Sequence, residues 1–472
     1  MRSVTTPIPP LTTGTSVVSH HSALKKLSPL VWEGAHSNVF IVLTGGAFLT
    51  GIALLLGADD FYIGLLASAP FLMQSAQLLS PYLFPKPTRS KSKIGLTLAV
   101  SRLLWLAAIP LLFFDGAWRL PALIAITVVS GLLTMISAPA WITWMAEVVP
   151  TALRGRFFSR RNAAIAATTV AATILGSLVL DWTRADAAEE FGFAAILLIA
   201  ALGGLMAWRS MLRTPEKIVD DDSIADHRPD LLLPLRDPSF RRVLLAFGTW
   251  NLSIGISAAF FAPHMLTNLD MGFFQIGLYT CAVALVAILS SGLWGKLIDR
   301  FGSKPVLNVC SFGVALIPVF WLFMDGRTLW ILIPEAIYSG LLWAGFNLAA
   351  FTLPLDRSPK EDRSVYLSVF AAVTGLAFFL ASVLAGYLSQ VLADWSWTLG
   401  GMTYLNYHVL FAVSTLLRLA TAGLISAFHE PDEIRLPAMV QLMGYSVLKR
   451  VSIGRQLFGT TKATKKKPTT EE

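Results

Sequence analysis

The residues in this 472-residue chain best suited to chemistry are ionisable and polar groups embedded in apolar sequence. Glu335 follows Pro334 and lies eight residues beyond Arg327, roughly 12 Å along a helix at 1.5 Å per residue. A carboxyl in low dielectric exchanges its proton together with a change of surroundings. Glu335 therefore reads as a proton or cation site, or else as a structural carboxylate paired near a membrane surface. His264 either faces Glu335 or sits among headgroups. Arg102 and Arg418 stand in mid-run and require a partner, structural or anionic. Glu33 and His36 open the first apolar run as entrance or capping groups. Gly-x-Ser-x-Gly, a phosphate-cradling Gly-Lys-Ser/Thr loop and His-Glu-x-x-His are all absent, so no enzyme, cofactor or metal chemistry is indicated. Cys281 and Cys310 lie inside apolar runs and read as packing residues.

Helices buried in lipid must position these groups. The chain is 55% hydrophobic and 14% charged, and its mean hydropathy is +0.63, well outside the balance of a soluble protein. A helical span needs about 20 mostly apolar residues. Twelve segments qualify, near 35–58, 61–84, 94–114, 120–149, 162–182, 191–212, 240–268, 272–297, 305–324, 328–353, 365–392 and 404–428. Pro70, Pro139 and Pro318 fall inside them, as membrane helices tolerate. The net charge of +8 comes in short clusters between apolar runs, the mark of topology rather than of nucleic-acid binding. Lys86, Arg89, Lys91, Lys93, Arg154, Arg156, Arg160, Arg161, Lys296, Arg300, Lys304, Arg357, Lys360 and Arg363 all fall in alternate connections, which puts these and both termini in the cytoplasm. The division expected is a tail at 1–34, six helices at 35–212, a polar linker at 213–239, six helices at 240–429 and a tail at 430–472. The linker, with Asp220, Asp221, Asp222 and Asp226, cannot bury a core. No cleavable signal precedes the first run, and the basic end of the chain offers at most a weak contact for anionic lipid.

The two halves resemble each other. Ser130-Gly131-Leu132-Leu133 recurs as Ser339-Gly340-Leu341-Leu342, and the same offset carries Arg154 onto Arg363. Asp115-Gly116 recurs as Asp325-Gly326, and Ile63-Gly64-Leu65 as Ile276-Gly277-Leu278. Order and spacing point to a parallel duplication about an axis along the membrane normal.

Between the eighth and ninth runs stands Gly295-Lys296-Leu297-Ile298-Asp299-Arg300-Phe301-Gly302-Ser303-Lys304-Pro305. It resembles the loop signature of the major facilitator superfamily, and the resemblance to that family's twelve-helix plan extends over the chain. The fold class implied is an all-α membrane protein of twelve transmembrane helices in two six-helix bundles. The function implied is secondary transport of a small organic solute by alternating access, without enzymatic activity. In that family the signature latches the outward-facing state, which carries over here to Gly295, Asp299, Arg300, Gly302 and Lys304; the other reading is an ordinary positive-inside turn. The first-half loop Leu83-Phe84-Pro85-Lys86-Pro87-Thr88-Arg89 lacks the Asp and the Gly, so the latch is one-sided. Glu147, Arg154 and Arg363 mark a second cytoplasmic network. The fifth run has no Gly-Pro pair of the drug-antiporter type.

By the same resemblance, spans 1, 4, 7 and 10 line a central cavity. Asn38, Asn251 and Asn347, with Gln74 on span 2, become substrate hydrogen bonders or interhelical ones. Trp141, Trp144 and Trp343 are stacking platforms or belt residues. Glu335 and His264 become the coupling site, with H⁺ as the ion. A monomer in the plasma (inner) membrane, meeting lipid and a small-molecule substrate, is expected. The rival readings are a lipid or amphiphile flippase and a receptor-like member without transport.

Overall fold

The computed structural model describes residues 27–84, 90–149, 153–214, 230–359 and 362–427; most of the expected tails and of the linker, with Lys86, Arg89 and Lys360, lie outside them. Twelve helices of membrane-spanning length occur among the described residues: α1 Ser28–Leu55, α2 Asp60–Leu79, α3 Lys91–Phe113, α4 Arg119–Met145, α5 Arg156–Ala185, α6 Glu189–Leu212, α7 Pro238–Asn268, α8 Phe273–Phe301, α9 Ser303–Leu322, α10 Leu329–Arg357, α11 Val365–Val391 and α12 Asn406–Ala427. In lipid a helix satisfies its own backbone, so length and apolarity suffice to specify these elements.

Two boundaries differ from the sequence reading for identifiable reasons. Helix α1 starts ahead of position 35, at Ser28, because Pro29 suits a first turn and Leu30 is fully buried. The arginine run expected in the α4–α5 connection is helical, and Arg161 points inward from it to Glu33 at 3.2 Å. A short hairpin, β1 Trp397–Leu399 with β2 Met402–Tyr404, joins α11 to α12. Gly400 and Gly401, with φ of 62° and 83°, supply the left-handed turn that a two-residue hairpin needs.

Packing repeats between the halves. In the first, α1 lies against α5 and α6, α3 against α4 and α6, and α2 against α4; in the second, α7 lies against α11 and α12, α9 against α10 and α12, and α8 against α10. The sequence repeats sit where this packing is closest. A Cβ on Gly64 would lie 2.6 Å from the Ser382 carbonyl of α11, and one on its counterpart Gly277 would lie 2.7 Å from Ser177 Oγ of α5. Both lie on faces where the halves meet, α2 against α11 and α8 against α5. Between lipid-bathed helices there is little hydrophobic drive, and small residues that let backbones approach take its place.

The halves join at the end where α2 and α8 begin and α5 and α11 finish. Asp181, in the last turns of α5, accepts from the backbone N–H groups of Phe273 and Phe274 at 2.7 and 2.8 Å, so its charge caps the first turn of α8. Phe273 then enters the first half, stacked on Phe48 and edge-on to Phe193. Across the other seam Asp60 accepts from Ser389, Asn406 and Tyr407 at 2.8, 2.9 and 2.5 Å, and Asp59 from Gln390 at 2.9 Å. Deeper in, Phe71 stacks on Phe378 with centroids 3.7 Å apart.

Two tests follow from this packing. A Cβ on Gly255 of α7 would meet the Phe378 carbonyl at 2.6 Å, whereas Gly292 of α8 has nothing within 4 Å. Gly255→Val should cost about 1–3 kcal/mol by overpacking, seen as a lowered Tm in detergent, and Gly292→Val should cost nothing measurable. Asp181→Asn removes a charge-assisted cap worth about 1.5–3 kcal/mol. Nitroxides at the exposed Trp182 and Leu278 should then report a separated population about tenfold larger, at tenfold per 1.4 kcal/mol; unchanged distances would show that the cap does not hold the seam.

Candidate functional site

Between the halves lies a cavity of about 730 Å³. Its lining comes from α1, α2, α3, α4, α7, α10 and α11, so α2, α11 and, through Trp105, α3 contribute to the wall alongside the four helices that the resemblance implied. The wall is aromatic, with Phe40, Phe71, Trp105, Trp250, Trp343 and Phe346 prominent, and among the described residues no Asp, Glu, Lys, Arg or His lines it.

Polarity on the wall is neutral and sparse. Asn251 Nδ2 donates to its own Phe247 carbonyl at 2.8 Å, which leaves Oδ1 for the cavity. Asn347 sits one turn beyond Trp343, and the two present an amide and an indole to the same space. Helix α1 breaks here: its first part ends at Leu43, and Gly46, with φ of 52°, starts the second. Helix α7 is interrupted at Ala259 and Phe260, then widens into a π turn at His264–Asn268. Irregular backbone at membrane depth is tolerated where it borders a cavity, and Gly45, Gly46, Ala258 and Ala259 all line this one.

The remaining sequence-derived residues lie elsewhere. Asn38 joins α1 to α5, donating to Thr169 Oγ1 at 2.6 Å and to the Ile165 carbonyl at 3.2 Å. Gln74 stands at the start of the 3₁₀ end of α2, off the cavity wall. Trp144 is packed in the first half, and Trp141 lies under the Arg161 guanidinium at 4.9 Å.

Glu335 and His264 do not face each other across the cavity. Both are fully buried within the second half, and each neighbours Trp321. Tyr279, Trp321 and Ser339 surround Glu335, but neither carboxylate oxygen closes a hydrogen bond of good geometry. His264 meets Asn268 through Nδ1 at 3.1 Å, and its ring is 5.0 Å from that of His408. The expected pairing fails because Glu335 occupies the α10 face turned to α8 and α9, away from the face that carries Trp343 and Asn347.

At the loop signature, Gly302 has φ of 84°, ending α8 and opening α9, a conformation suited to glycine. Asp299 and Arg300 are exposed, and Arg300 lies over the Phe301 ring at 5.2 Å. Lys304 is buried and engaged, and Gly295 has open space around it. The side chains of Glu147 and Arg154 lie outside what is described; Arg363 is half-buried.

A charged network in the first half was visible in the sequence only as separate residues. Arg102 donates to Ser37 at 2.8 Å, Ser37 to Glu33 at 2.9 Å, and Arg161 closes the chain on Glu33. Arg418 takes the corresponding place in the second half, donating to Ser257 at 2.8 Å and to the Val314 carbonyl at 3.3 Å. Neither group reaches the cavity wall.

A family profile described as Major Facilitator Superfamily matches residues 36–333 and 244–432. The glucose facilitated diffusion protein of Zymomonas mobilis is 25% identical over 338 residues, 61% of this chain and 67% of that one. The class H tetracycline resistance protein of Pasteurella multocida is 26% identical over 117 residues, 25% of this chain and 28% of its own length, so the match spans less than a third of either. Among solved structures, nucleoside transporter NupG superposes with a TM-score of 0.62 at 13% identity, over 86% of this chain and 98% of that one. A bacterial homologue of the iron transporter ferroportin, in its inward-facing state, superposes with a TM-score of 0.61 at 14% identity, over 87% and 99%. Identities that low speak for the fold alone, whereas the profile covers most of the sequence. The chain belongs to the major facilitator superfamily: it is a multi-pass membrane transporter, not an enzyme.

Proposed function

We propose that this transporter moves a small, uncharged organic solute by alternating access, with H⁺ as the coupled ion and Glu335 as its acceptor. The observation that carries the reading is the cavity itself, set between two similar halves and closed at one end by contacts confined to their seams. Releasing Asp60 and Asp181 would let the halves rock and expose the cavity on the other side. Asp299 and Arg300 stand exposed at the opposite end, which suits a latch that engages only after that movement.

Positive charge gathers at the end carrying the α2–α3, α4–α5, α8–α9 and α10–α11 connections, which supports a cytoplasmic setting for it and for both termini. The chain is read as a monomer of the inner membrane, with 35–212 and 240–429 as its moving bodies and 213–239 as the link. Asn251, Asn347 and Trp343 form the solute site; Asn38 and Gln74 shape its surroundings.

Glu335 fits the coupling role because it is buried with no counter-charge beside it among the described residues. Ionising it there costs several kcal/mol unless its surroundings change, so its proton and the conformation move together. The related proteins bear names that speak of glucose, tetracycline and nucleosides, so the solute is read from the wall rather than from them. An amphiphile flippase is the second reading, favoured by the uncharged, aromatic wall; headgroup-dependent scrambling in liposomes would select it.

A thermal-shift screen of sugars, nucleosides, organic acids and neutral aromatics identifies a working solute, since saturation at about 100 times Kd stabilises by roughly 2.7 kcal/mol. With that solute in proteoliposomes, Glu335→Gln should abolish uptake driven by a pH gradient while leaving exchange intact. Undiminished concentrative uptake would remove Glu335 from the mechanism.

A further inference from the structure

We propose that the solute reaches the cavity sideways from the bilayer, through a portal between α2 and α4 that Met73 closes against Gly131. The inference rests on the reading of the cavity as the solute site, and it names the solute class as neutral and lipophilic.

Behind α2, away from the cavity, lies a second hollow of about 290 Å³. Leu65, Ala69 and Leu72 form its α2 wall, and Ile124, Val128 and Leu132 its α4 wall, each set on one helical face. Ser75, the polar residue among its lining, donates to the Leu72 carbonyl at 2.8 Å and offers the hollow little polarity. Leu66 and Met73 line both this hollow and the cavity. One layer of side chains therefore separates lipid-side space from the solute site.

That layer is built to move. The Met73 sulfur occupies the place a Cβ on Gly131 would take, so the two helices close here through a thioether lying on a glycine. Methionine turns about three bonds and repacks at low cost. The α2 backbone is weakened at the same level, since Pro70 removes an N–H and residues Gln74–Leu79 form a 3₁₀ turn.

The second half supplies an internal comparison. By the repeat offsets, Gly340 corresponds to Gly131 and Val286 to Met73. There a Cβ on Gly340 would meet the Val283 carbonyl at 2.5 Å and Val286 Cβ at 2.9 Å. A β-branched side chain with one favoured rotamer, together with backbone, closes that seam. The same junction is thus rigid in one half and hinged on a flexible side chain in the other. A wall without charge selects solutes that already partition into lipid, for which such a side entrance is the short path.

The test uses Thr134→Cys, on the cavity wall one turn from Gly131, in full-length protein with Cys281→Ser and Cys310→Ala, reconstituted in liposomes. The readout is its modification rate by N-(1-pyrenyl)maleimide, which partitions into the bilayer, against that by a charged, water-borne methanethiosulfonate. Met73→Ala should raise the pyrene rate about tenfold and Met73→Val should lower it comparably, a change of about 1.4 kcal/mol in opening, with the water-borne rate constant. Met73→Leu, similar in volume, should keep the parental rate and Tm. A pyrene rate indifferent to both substitutions, or two rates that move together, would overturn the portal. Labelling needs neither transport nor Glu335, so its failure and that of the coupled-transport reading are separable.

Discussion

A hydrocarbon layer offers no hydrogen-bond partner, and nearly every feature of this chain answers that constraint. It compels the helical plan, because only a helix satisfies its own backbone within a span. It also compels the interior chemistry, because a charge kept inside must find its partners among the neighbouring helices. Arg102, Ser37, Glu33 and Arg161 form such a chain in the first half, and Arg418 leans on Ser257 and a carbonyl in the second. The departures from helix at Gly45–Gly46 and Ala259–Phe260 fall where the cavity borders them, the one setting in which freed backbone groups can meet something polar.

The same constraint decides how the halves cohere. Lipid rewards no apolar association between helices, so contact is made through close approach and through aimed polar groups. Gly64 and Gly277 supply the approach at equivalent places in the repeat, and Asp60 and Asp181 supply the polar contacts at the rim. Duplication set the frame, and small differences between the copies gave it direction. The guanidinium that fills the core of each half comes from α3 in one and α12 in the other, and the residue at the α2 and α8 seam is methionine in one and valine in the other.

Much of this was legible in the sequence because hydropathy alone marks spans of about 20 residues. The twelve helices, the duplicated plan and the cavity placement of Asn251, Asn347 and Trp343 follow from it and from the resemblance carried by one loop. Helix rotation was not legible. Neighbouring residues on a helix differ by 100° in direction, so Glu335 could be placed on α10 but not on the face turned from the cavity, and Asn38 could be placed on α1 but not against Thr169 of α5. Long-range partners escaped for a different reason. Asp181, inside the fifth run at 162–182, has no visible partner until α8 is brought beside it. Arg156–Arg161 read as a loop because charge ended the hydropathy signal before the helix ended.

The bond between Asp181 and α8 has one partner that any residue could supply. Its donors are main-chain amides, present at positions 273 and 274 whatever side chains stand there, proline excepted. Mutation can therefore erase this contact from the aspartate side by many routes, but from the other side chiefly through proline or a shift of the helix. The aromatic residues that seat α8 in the first half are free to vary with the needs of packing while the cap persists. Half of this junction is thus inherited through the fold rather than through the identity of a residue, and a comparison of side chains alone would miss it.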